Sequence, residues 1–293
     1  MRKTLGNLQD TLELFEWIPN TIIKVVSVPS VPCAGQGLPA STIVLNEITG
    51  CVKAIMDATY LTALRNATGS VFVTRLLIFK VPKTLVAFGA GKQIKAHVDL
   101  HLRAFPSIEF CTIVNRTGTD SSRLYELASS LRQSQPSIVF NTIKLGDRHS
   151  VKDAVSKAGV ICTATSSEGP LFQSDFTPRM HEVDSELIHR ACKVVVDSRG
   201  ACAIEAGELI AACKAMDPNA NLIELGELEK EGDGGKFVPV EMPKGLREPD
   251  GVTIFKSVGV GLQDVAIAHL VQSRAESTGC GTRIKYYDPI VLG

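Results

Sequence analysis

Residues 84–95 read T-L-V-A-F-G-A-G-K-Q-I-K, and they are the part of the sequence that is most informative about the fold. An apolar strand over 84–88 leads into Gly89-Ala90-Gly91, and a helical pattern follows at once. Where a glycine-rich turn joins a buried strand to a helix, the backbone N–H groups of the helix N-terminus can hold a pyrophosphate. The turn, together with Gln93 in the first helical residues, is therefore predicted to bind a dinucleotide.

The usual fingerprint of such a turn, G-x-G-x-x-G, is incomplete in this chain. Ile94 stands where the third glycine belongs, so the helix and strand are expected to pack less closely than in the standard unit. A Gly-x-Gly turn can also be an ordinary connection between a strand and a helix. The turn alone therefore leaves both interpretations open.

The residues after the next strand indicate which dinucleotide binds. The strand over 110–114 ends in Asn115-Arg116-Thr117, where an NAD-binding unit usually carries Asp or Glu for the ribose 2′-hydroxyl. A neutral residue followed by a cation suits a 2′-phosphate instead. NADP(H) is therefore the favoured cofactor, and NAD(H) is the alternative.

From residue 84 onward, strands alternate with helices. The predicted strands cover 84–88, 110–114, 138–143, 160–164, 193–196 and 252–256, and the predicted helices cover 92–103, 121–132, 150–157, 185–191, 205–212 and 262–273. Runs rich in Val and Ile between helices are typical of strands that are covered on both faces. The prediction is a Rossmann-type doubly wound parallel sheet of the α/β class.

The first eighty residues follow a different pattern. Segments typical of strands cover 22–29, 41–46 and 51–56, with a hairpin turn over 47–50 and a helix over 59–77. This pattern predicts an α+β unit with antiparallel strands.

We therefore predict two domains. Residues 1–82 with 274–293 would bind substrate and form a dimer, and residues 83–273 would bind the dinucleotide. Within the C-terminal tail, 284–287 would return as a strand to the first domain. The segment 229–245 is rich in Gly, Lys and Glu, and it is predicted to be a solvated loop.

Charge and cysteine content exclude several classes of partner. The chain has 31 basic and 31 acidic residues among 293 and no basic tract, so neither nucleic acid nor a membrane surface is a predicted partner. No apolar run reaches membrane-spanning length, and the N-terminus lacks the apolar core of a signal peptide. Eight cysteines without a C-x-x-C pair predict buried free thiols, no metal site and a cytoplasmic location.

Two cations in the first eighty residues are candidates for holding a carboxylate. Lys24 lies in an apolar strand, and Arg65 lies in an apolar-rich helix. A guanidinium can bind a carboxylate through two parallel hydrogen bonds. The alternatives are that Lys24 extends along an open strand face and that Arg65 forms a structural ion pair.

A carboxylate and a glycine-rich turn follow two of the predicted strands. Asp197 ends the strand over 193–196, and the turn 257–261 follows the strand over 252–256. Because the carboxyl ends of parallel strands open into the ligand crevice, Asp197 is a candidate catalytic carboxylate. It can equally be the cap of a turn or helix, and the glycine-rich turn can either approach a flat ring or pack tightly.

In this order and spacing, the chain resembles the ornithine cyclodeaminase/mu-crystallin family over nearly its whole length. The motifs that carry the resemblance are K-V-V (24–26), G-L-P (37–39), D-A-T-Y-L-T-A-L-R (57–65), G-A-G-K-Q (89–93), C-T-A-T-S-S (162–167), V-V-V-D-S-R (194–199), G-E-L (207–209) and T-I-F-K-S-V-G-V-G-L-Q-D (253–264).

The resemblance implies a homodimer that binds a small imino or amino acid and a nicotinamide cofactor. Its first domain, completed by the C-terminal tail, would supply the dimer interface and much of the substrate pocket. It implies that Lys24 and Arg65 hold the substrate carboxylate and that Asp197 is the acid near the substrate nitrogen. By the same match, Gly89, Gly91 and Gln93 form the pyrophosphate turn, and the nicotinamide ribose and ring are lined by Ala164, Thr165, Ser257 and Val258.

The chain departs from the family pattern at several points. Asn66 follows Arg65 where the family often has Thr, and Ile94 replaces a small residue. A further carboxylate-binding arginine of the family has no recognisable counterpart. The segment 171–178 also runs straight through a place where the family has an extra strand.

The favoured hypothesis is the NADPH-dependent reduction of a cyclic ketimine or other imino acid, because cellular NADPH mainly drives reductions. Hydride would be transferred to the carbon that bears the carboxylate. The alternatives are an ornithine cyclodeaminase that forms proline and ammonia, an amino-acid dehydrogenase, and a crystallin-like NADP- or hormone-binding protein with little turnover.

Overall fold

The structure is a computed structural model that describes residues 21–27, 39–78, 80–116, 122–165, 167, 171–172, 188, 191, 193–213, 222–232, 237–240 and 252–282. The chain divides into two compact units. The first unit is Met1–Arg65 with Gly261–Gly293, and the second is Asn66–Val260. The functional division at 82/83 and 273/274 stays a prediction.

The helices and strands are numbered in chain order. The helices are α1 (Ala58–Leu77), α2 (Lys92–Ala104), α3 (Ser122–Ser134), α4 (Arg148–Ser156), α5 (Arg199–Glu205), α6 (Gly207–Cys213) and α7 (Gly261–Thr278), with a 3₁₀ turn at Leu225–Leu228. The strands are β1 (Thr21–Val26), β2 (Ala40–Leu45), β3 (Val52–Asp57), β4 (Thr84–Phe88), β5 (Phe110–Asn115), β6 (Val139–Lys144), β7 (Val160–Thr163), β8 (Lys193–Val196), β9 (Leu222–Glu224), β10 (Glu229–Glu231), β11 (Phe237–Pro239) and β12 (Thr253–Lys256).

The first unit contains an antiparallel sheet in the order β1-β2-β3. The predicted hairpin turn joins β2 to β3: the Asn46 side chain accepts the N–H groups of Ile48 and Thr49, and Gly50 has a φ of 69°. Thr42 and Val44 are buried on one sheet face, and α7 packs against β1 and β2. Alternation along the strands thus gives the sheet one covered face and one open face.

The second unit contains a parallel sheet in the order β6-β5-β4-β7. Its strands are buried by α2 and α3 through a core that includes Leu85, Ile94, Ile113 and Leu124. The strand order reverses at β4, because β5 lies on one side of it and β7 on the other. Such a reversal opens a crevice at the carboxyl ends of the strands.

A second parallel sheet in this unit has the order β12-β8-β9. Val194, Val195 and Val196 are buried in β8, as expected of a central strand covered on both faces. The predicted Rossmann-type α/β class is confirmed.

Four predicted elements differ from the structure or lie largely outside the described residues. The helix expected over 205–212 is wrong in its extent, because α5 ends at Glu205 and α6 starts at Gly207; Ser198 starts α5 by accepting the N–H of Ala201. The loop expected over 229–245 is wrong in part, because β10 pairs with β11 inside it. The strand expected over 284–287 and most of the helix over 185–191 lie outside the described residues.

The prediction of buried thiols is confirmed for Cys111, Cys162 and Cys202, which are buried and form no disulfide within the described residues. It is wrong for Cys280, which is exposed. None of the helices in the described part of the chain combines the length and the apolar character that a membrane crossing requires.

Candidate functional site

The glycine-rich turn after β4 is shaped by two close approaches. Gly89 has a φ of 121°, and a Cβ atom placed on it would lie 2.9 Å from the Ala164 carbonyl oxygen and 3.0 Å from Ile94 Cγ1. Only glycine is accommodated there without strain. Gly91, the N-cap of α2, has no side-chain cap, and a Cβ at Gly91 would meet nothing within 4 Å among the described residues. The start of α2 therefore has no side-chain cap, and no described atom lies near the Cβ position of Gly91, which leaves room for a pyrophosphate at the helix N-terminus.

Ile94 fills the place that the missing third glycine would leave open. It is fully buried in the core beneath β4. The close contact between the turn and the end of the neighbouring strand is made at Gly89 and does not require a glycine at position 94. An isoleucine in this motif is compatible with a well-packed turn.

The ends of β7 and β5 lie beside this turn. Ala164 donates its N–H to the Phe88 carbonyl at 3.2 Å, and Thr165 follows with its hydroxyl accepting the Ser167 N–H at 3.2 Å. Asn115 closes β5 in register with Lys144 of β6.

Arg116 follows Asn115 and is exposed, as is Lys144. Two cations thus stand at the carboxyl edge of this sheet, and Lys144 was not anticipated from the sequence. Thr117, the last residue predicted to contact the cofactor, lies outside the described residues.

Asp197 is surrounded by hydrogen-bond donors at the end of β8. Its Oδ2 accepts the Ser257 hydroxyl at 2.7 Å and the Gly259 N–H at 2.6 Å. Its Oδ1 accepts the N–H groups of Ser198 at 3.0 Å and Val258 at 3.3 Å, and the Cys202 thiol at 3.7 Å. The carboxylate thus holds the glycine-rich turn through these hydrogen bonds, as expected of a cap, and its role as a catalytic carboxylate stays a prediction.

The surroundings of Asp197 keep the neighbouring thiol protonated. Burial, followed by the charge of Asp197, raises the pKa of Cys202 to about 11. A thiol of that kind is a poor nucleophile. Cys202 therefore acts as a hydrogen-bond donor to the carboxylate rather than as a reactive group.

Arg199 ties the loop after Asp197 to the neighbouring strand. Its guanidinium binds both oxygens of Glu227, at 2.6 and 2.7 Å, and the Leu222 carbonyl at 2.9 Å. The Glu227 contact raises the pKa of Arg199 and lowers that of Glu227. The arginine of the V-V-V-D-S-R motif thus has a structural role beside the carboxylate.

Lys24 and Arg65 are brought together in the first unit by a residue that was not predicted. Asp264 Oδ1 accepts a hydrogen bond from Lys24 Nζ at 2.9 Å and lies 3.2 Å from Arg65 Nε. Gln263 Oε1 accepts from Arg65 Nη1 at 2.7 Å. The side chains of Lys24, Arg65 and Asp264 are 15, 10 and 13% exposed. We call these four residues the cation cluster.

A polar ladder joins α1 to α2 in the second unit. Asn66 Nδ2 donates to Gln93 Oε1 at 3.3 Å. The next two rungs link Ser70 with His97 at 3.1 Å and Thr74 with His101 at 3.2 Å. Burial lowers the pKa of His97 and lowers that of His101 to about 4. Asn66, the departure from the family pattern, thus contacts the predicted cofactor residue Gln93.

Gln263 and Asp264, which were not predicted as site residues, belong to the motif L-Q-D at 262–264. Gln263 and Asp264 stand in the first turn of a helix that follows a glycine-rich turn, where a carboxylate is favoured by the helix dipole. Lys24 lies 240 residues from Asp264 and Arg65 lies 198 residues from Gln263 in sequence, so local patterns could not predict the pairing.

Comparison with known proteins agrees with these features. Residues 20–279 match the model of the ornithine cyclodeaminase/mu-crystallin family. A Delta(1)-pyrroline-2-carboxylate reductase of Bacillus cereus is 29% identical over 286 residues, which are 90% of this chain and 80% of the relative.

Two solved structures share the fold. The Thermococcus litoralis Delta(1)-pyrroline-2-carboxylate reductase in complex with NADH and L-proline has a TM-score of 0.71 at 23% identity, covering 90% of this chain and 80% of that one. An archaeal alanine dehydrogenase dimer with bound NAD has a TM-score of 0.70 at 22% identity, covering 92% of this chain and 82% of that one.

Proposed function

Because the chain belongs to the ornithine cyclodeaminase/mu-crystallin family, we propose that this NAD(P)-dependent oxidoreductase reduces the C=N bond of cyclic ketimines and other imino acids. The observation that carries the proposal is that Lys24 and Arg65 lie together around the side-chain carboxylate of Asp264. Two cations at one place suit the carboxylate of an imino acid. The likeness to a pyrroline-2-carboxylate reductase over most of the chain supports the same substrate class.

In this proposal, the residues of the chain divide the work of the reaction. The nicotinamide supplies the hydride when it is bound. Arg65 and Lys24 hold the substrate carboxylate, so that the adjacent carbon is oriented for the transfer. Asp197, held by donors on both oxygens, places a negative charge for the iminium nitrogen. The ring and ribose of the nicotinamide would lie against Ala164, Thr165, Ser257 and Val258.

We propose NADP(H) as the preferred cofactor, held at its pyrophosphate by Gly89, Ala90, Gly91 and Gln93. The end of β5 carries Asn115 in place of an acidic residue, followed by the exposed Arg116. Lys144, in register with Asn115, adds a second cation that favours a 2′-phosphate. The relatives with solved structures carry NADH or NAD, so this preference would distinguish the chain from them.

The test compares NADPH with NADH in the reduction of pyrroline-2-carboxylate by the purified protein. We expect turnover with both and a preference for NADPH, which Arg116→Ala weakens about tenfold or more. Arg103→Ala is the matched control, because Arg103 lies at the other end of α2 in an exposed pair with Asp99.

Four outcomes would contradict parts of this proposal. Equal or better use of NADH would overturn the cofactor preference, and an unchanged preference in Arg116→Ala would overturn its assignment. Ammonia release from ornithine without net cofactor consumption would identify a cyclodeaminase instead. Cofactor binding with negligible turnover, and a silent Arg65→Ala, would identify a binding protein.

We further propose a homodimer that forms through the open face of the β1-β2-β3 sheet. Ile23, Val25 and Ile55 are 48, 49 and 69% exposed, and Ile23, Ile43 and Ile55 lie in one row across the strands. A second copy of this face would cover the apolar row. Light scattering should give a dimer for the parent and a monomer for Ile55→Lys, whereas a monomeric parent would refute this interface.

We also propose a cytoplasmic location, because cysteines that form no disulfide, such as Cys111 and Cys202, are typical of a reducing compartment.

A further inference from the structure

The cation cluster contains more than a pair of positive charges. Lys24 comes from β1, Arg65 from α1, and Gln263 and Asp264 from the first turn of α7. Three separate elements of the first unit therefore converge on one place. A cluster built on strands and helices holds its side chains more rigidly than one built on loops.

Asp264 fixes one edge of the Arg65 guanidinium. Its Oδ1 lies 3.2 Å from Arg65 Nε, a buried donor that makes no hydrogen bond within the described residues. The contact is therefore an ion pair rather than a well-aligned hydrogen bond. Gln263 holds Nη1 at 2.7 Å, so the plane of the guanidinium is set from two sides.

The remaining donors of the cluster point to a further ligand. Arginine has five N–H donors and lysine has three. Asp264 and Gln263 accept one hydrogen bond each, from Lys24 Nζ and from Arg65 Nη1. Within the described part of the chain, no acceptor binds Arg65 Nη2 and one acceptor binds Lys24 Nζ, so the guanidinium keeps an edge for a planar acceptor and the ammonium keeps further donors.

The charges of the cluster lead to the same conclusion. Two cations and one carboxylate leave one net positive charge on side chains that are 10 to 15% exposed. A partly buried charge of that kind is stabilised by one further anion. One carboxylate satisfies both the charge and the free donors.

We propose that Asp264 and Gln263 are positioning residues that orient Arg65 and Lys24 for a single substrate carboxylate. The inference rests on the proposed function, since it assigns the clamp to that reaction. Asp264 acts through the two cations and touches neither the imine nor the cofactor. Its charge sets the cluster to accept one negative charge.

The test is a kinetic comparison of Asp264→Ala, Asp264→Asn and the parent with pyrroline-2-carboxylate and saturating NADPH. Asp264→Ala should raise the KM of the imino acid about 10- to 100-fold while kcat changes less than about threefold. Asp264→Asn keeps an oxygen acceptor for Lys24 and should recover part of that loss. The dissociation constant of NADPH, measured by fluorescence titration, should stay at the parent value.

Asp153→Asn is the matched control, because Asp153 forms an exposed i,i+4 pair with Lys157 on the second unit. It should leave KM, kcat and NADPH binding unchanged. If Asp264→Ala does not fold, Gln263→Leu removes only the Nη1 acceptor and should raise KM about 3- to 10-fold.

The outcomes separate this inference from the proposed function. A parent that reduces imines, with Asp264 and Gln263 variants at the parent KM, would overturn the positioning role alone. A loss confined to thermal stability, or a fall in kcat at unchanged KM, would do the same. A parent without imine reduction would overturn the proposed function, and L-proline binding by the parent and by Asp264→Ala, followed by thermal shift, would then decide whether the cluster holds a carboxylate.

Discussion

Asp197 and Asp264 are two partly buried carboxylates that the fold holds in opposite ways. Asp197 is bound by backbone N–H groups, a hydroxyl and a thiol. Asp264 is bound by an ammonium and a guanidinium. Neutral donors fix a carboxylate and leave its formal charge in place, whereas cations cancel it. In the proposed reaction, the charge of Asp197 is therefore the one that a cationic substrate group would meet, while the charge of Asp264 is balanced by Lys24 and Arg65.

Among the variants of the two carboxylates and their partners, Asp197→Ala should have the largest effect. The variant should lower kcat for imine reduction about 10²- to 10³-fold, because a charge placed for the transition state is lost. Steady-state kinetics with pyrroline-2-carboxylate would measure it, and Asp264→Ala would show the contrasting rise in KM. A kcat within about threefold of the parent would mean that the charge of Asp197 is not used.

The acid limit of the fold must be known before either carboxylate is assayed at low pH. His101 is buried with its pKa lowered from 6.5 to about 4, so between these values the unfolded chain binds a proton that the folded chain does not. The contribution of neutral His101 to the free energy of unfolding is therefore fully present above pH 6.5, and about 3 kcal/mol of it is lost as the pH drops to 4. Urea unfolding at several pH values would measure this loss.

Two variants test that assignment. His101→Gln should flatten the dependence of the unfolding free energy on pH, because the titrating group is gone. Gln133→Ala changes an exposed position of α3 that carries no titrating group and should leave the slope unchanged. An unaltered slope in His101→Gln would show that other groups set the acid limit.

A smaller effect is expected of Ser257→Ala, which removes one donor from Asp197 Oδ2 and leaves the Gly259 N–H in place. We expect kcat to fall about tenfold, since one charge-assisted hydrogen bond is lost. Ser277→Ala, which removes an exposed hydroxyl at the end of α7, should have no effect. An equal effect of the two variants would show that the donors around Asp197 are not individually important.

The smallest expected effect is that of salt. Raising NaCl from about 0.05 to 0.5 M should increase the KM of the imino acid about two- to threefold and leave kcat unchanged, because screening acts on the net charge of the cation cluster. The effect is small since the cluster is partly buried. A kcat that falls with salt at constant KM would reverse the roles assigned to the two carboxylates.

The two carboxylates also show what the sequence can and cannot predict. Asp197 could be named as a candidate because it ends a predicted parallel strand, and ligands bind at the carboxyl ends of such strands. Asp264 could not be named because its partners are cations from β1 and α1, and only tertiary packing brings them to it. The break between α5 and α6 was missed for a related reason: Ser198 caps α5, but good helix formers continue on both sides of Ala206.

The parallel sheet and the turn at Gly89 were predictable because periodicity and glycine placement are local signals. The short β10–β11 pair was not, since Glu229–Glu231 is charged and its pairing partner Phe237–Pro239 contains a proline. Lys144 likewise acquires its place only through the register of β6 against β5.

The ladder between α1 and α2 has a consequence for how those helices can move. Its rungs recur every fourth residue on both helices, at Asn66, Ser70 and Thr74 opposite Gln93, His97 and His101. An axial shift of about 1.5 Å would stretch all three contacts beyond hydrogen-bond distance and leave their polar groups unpaired. A shift of four residues, about 6 Å, would pair two of the three polar positions on each helix again. The ladder therefore favours registers of the two helices that differ by four residues over any intermediate displacement.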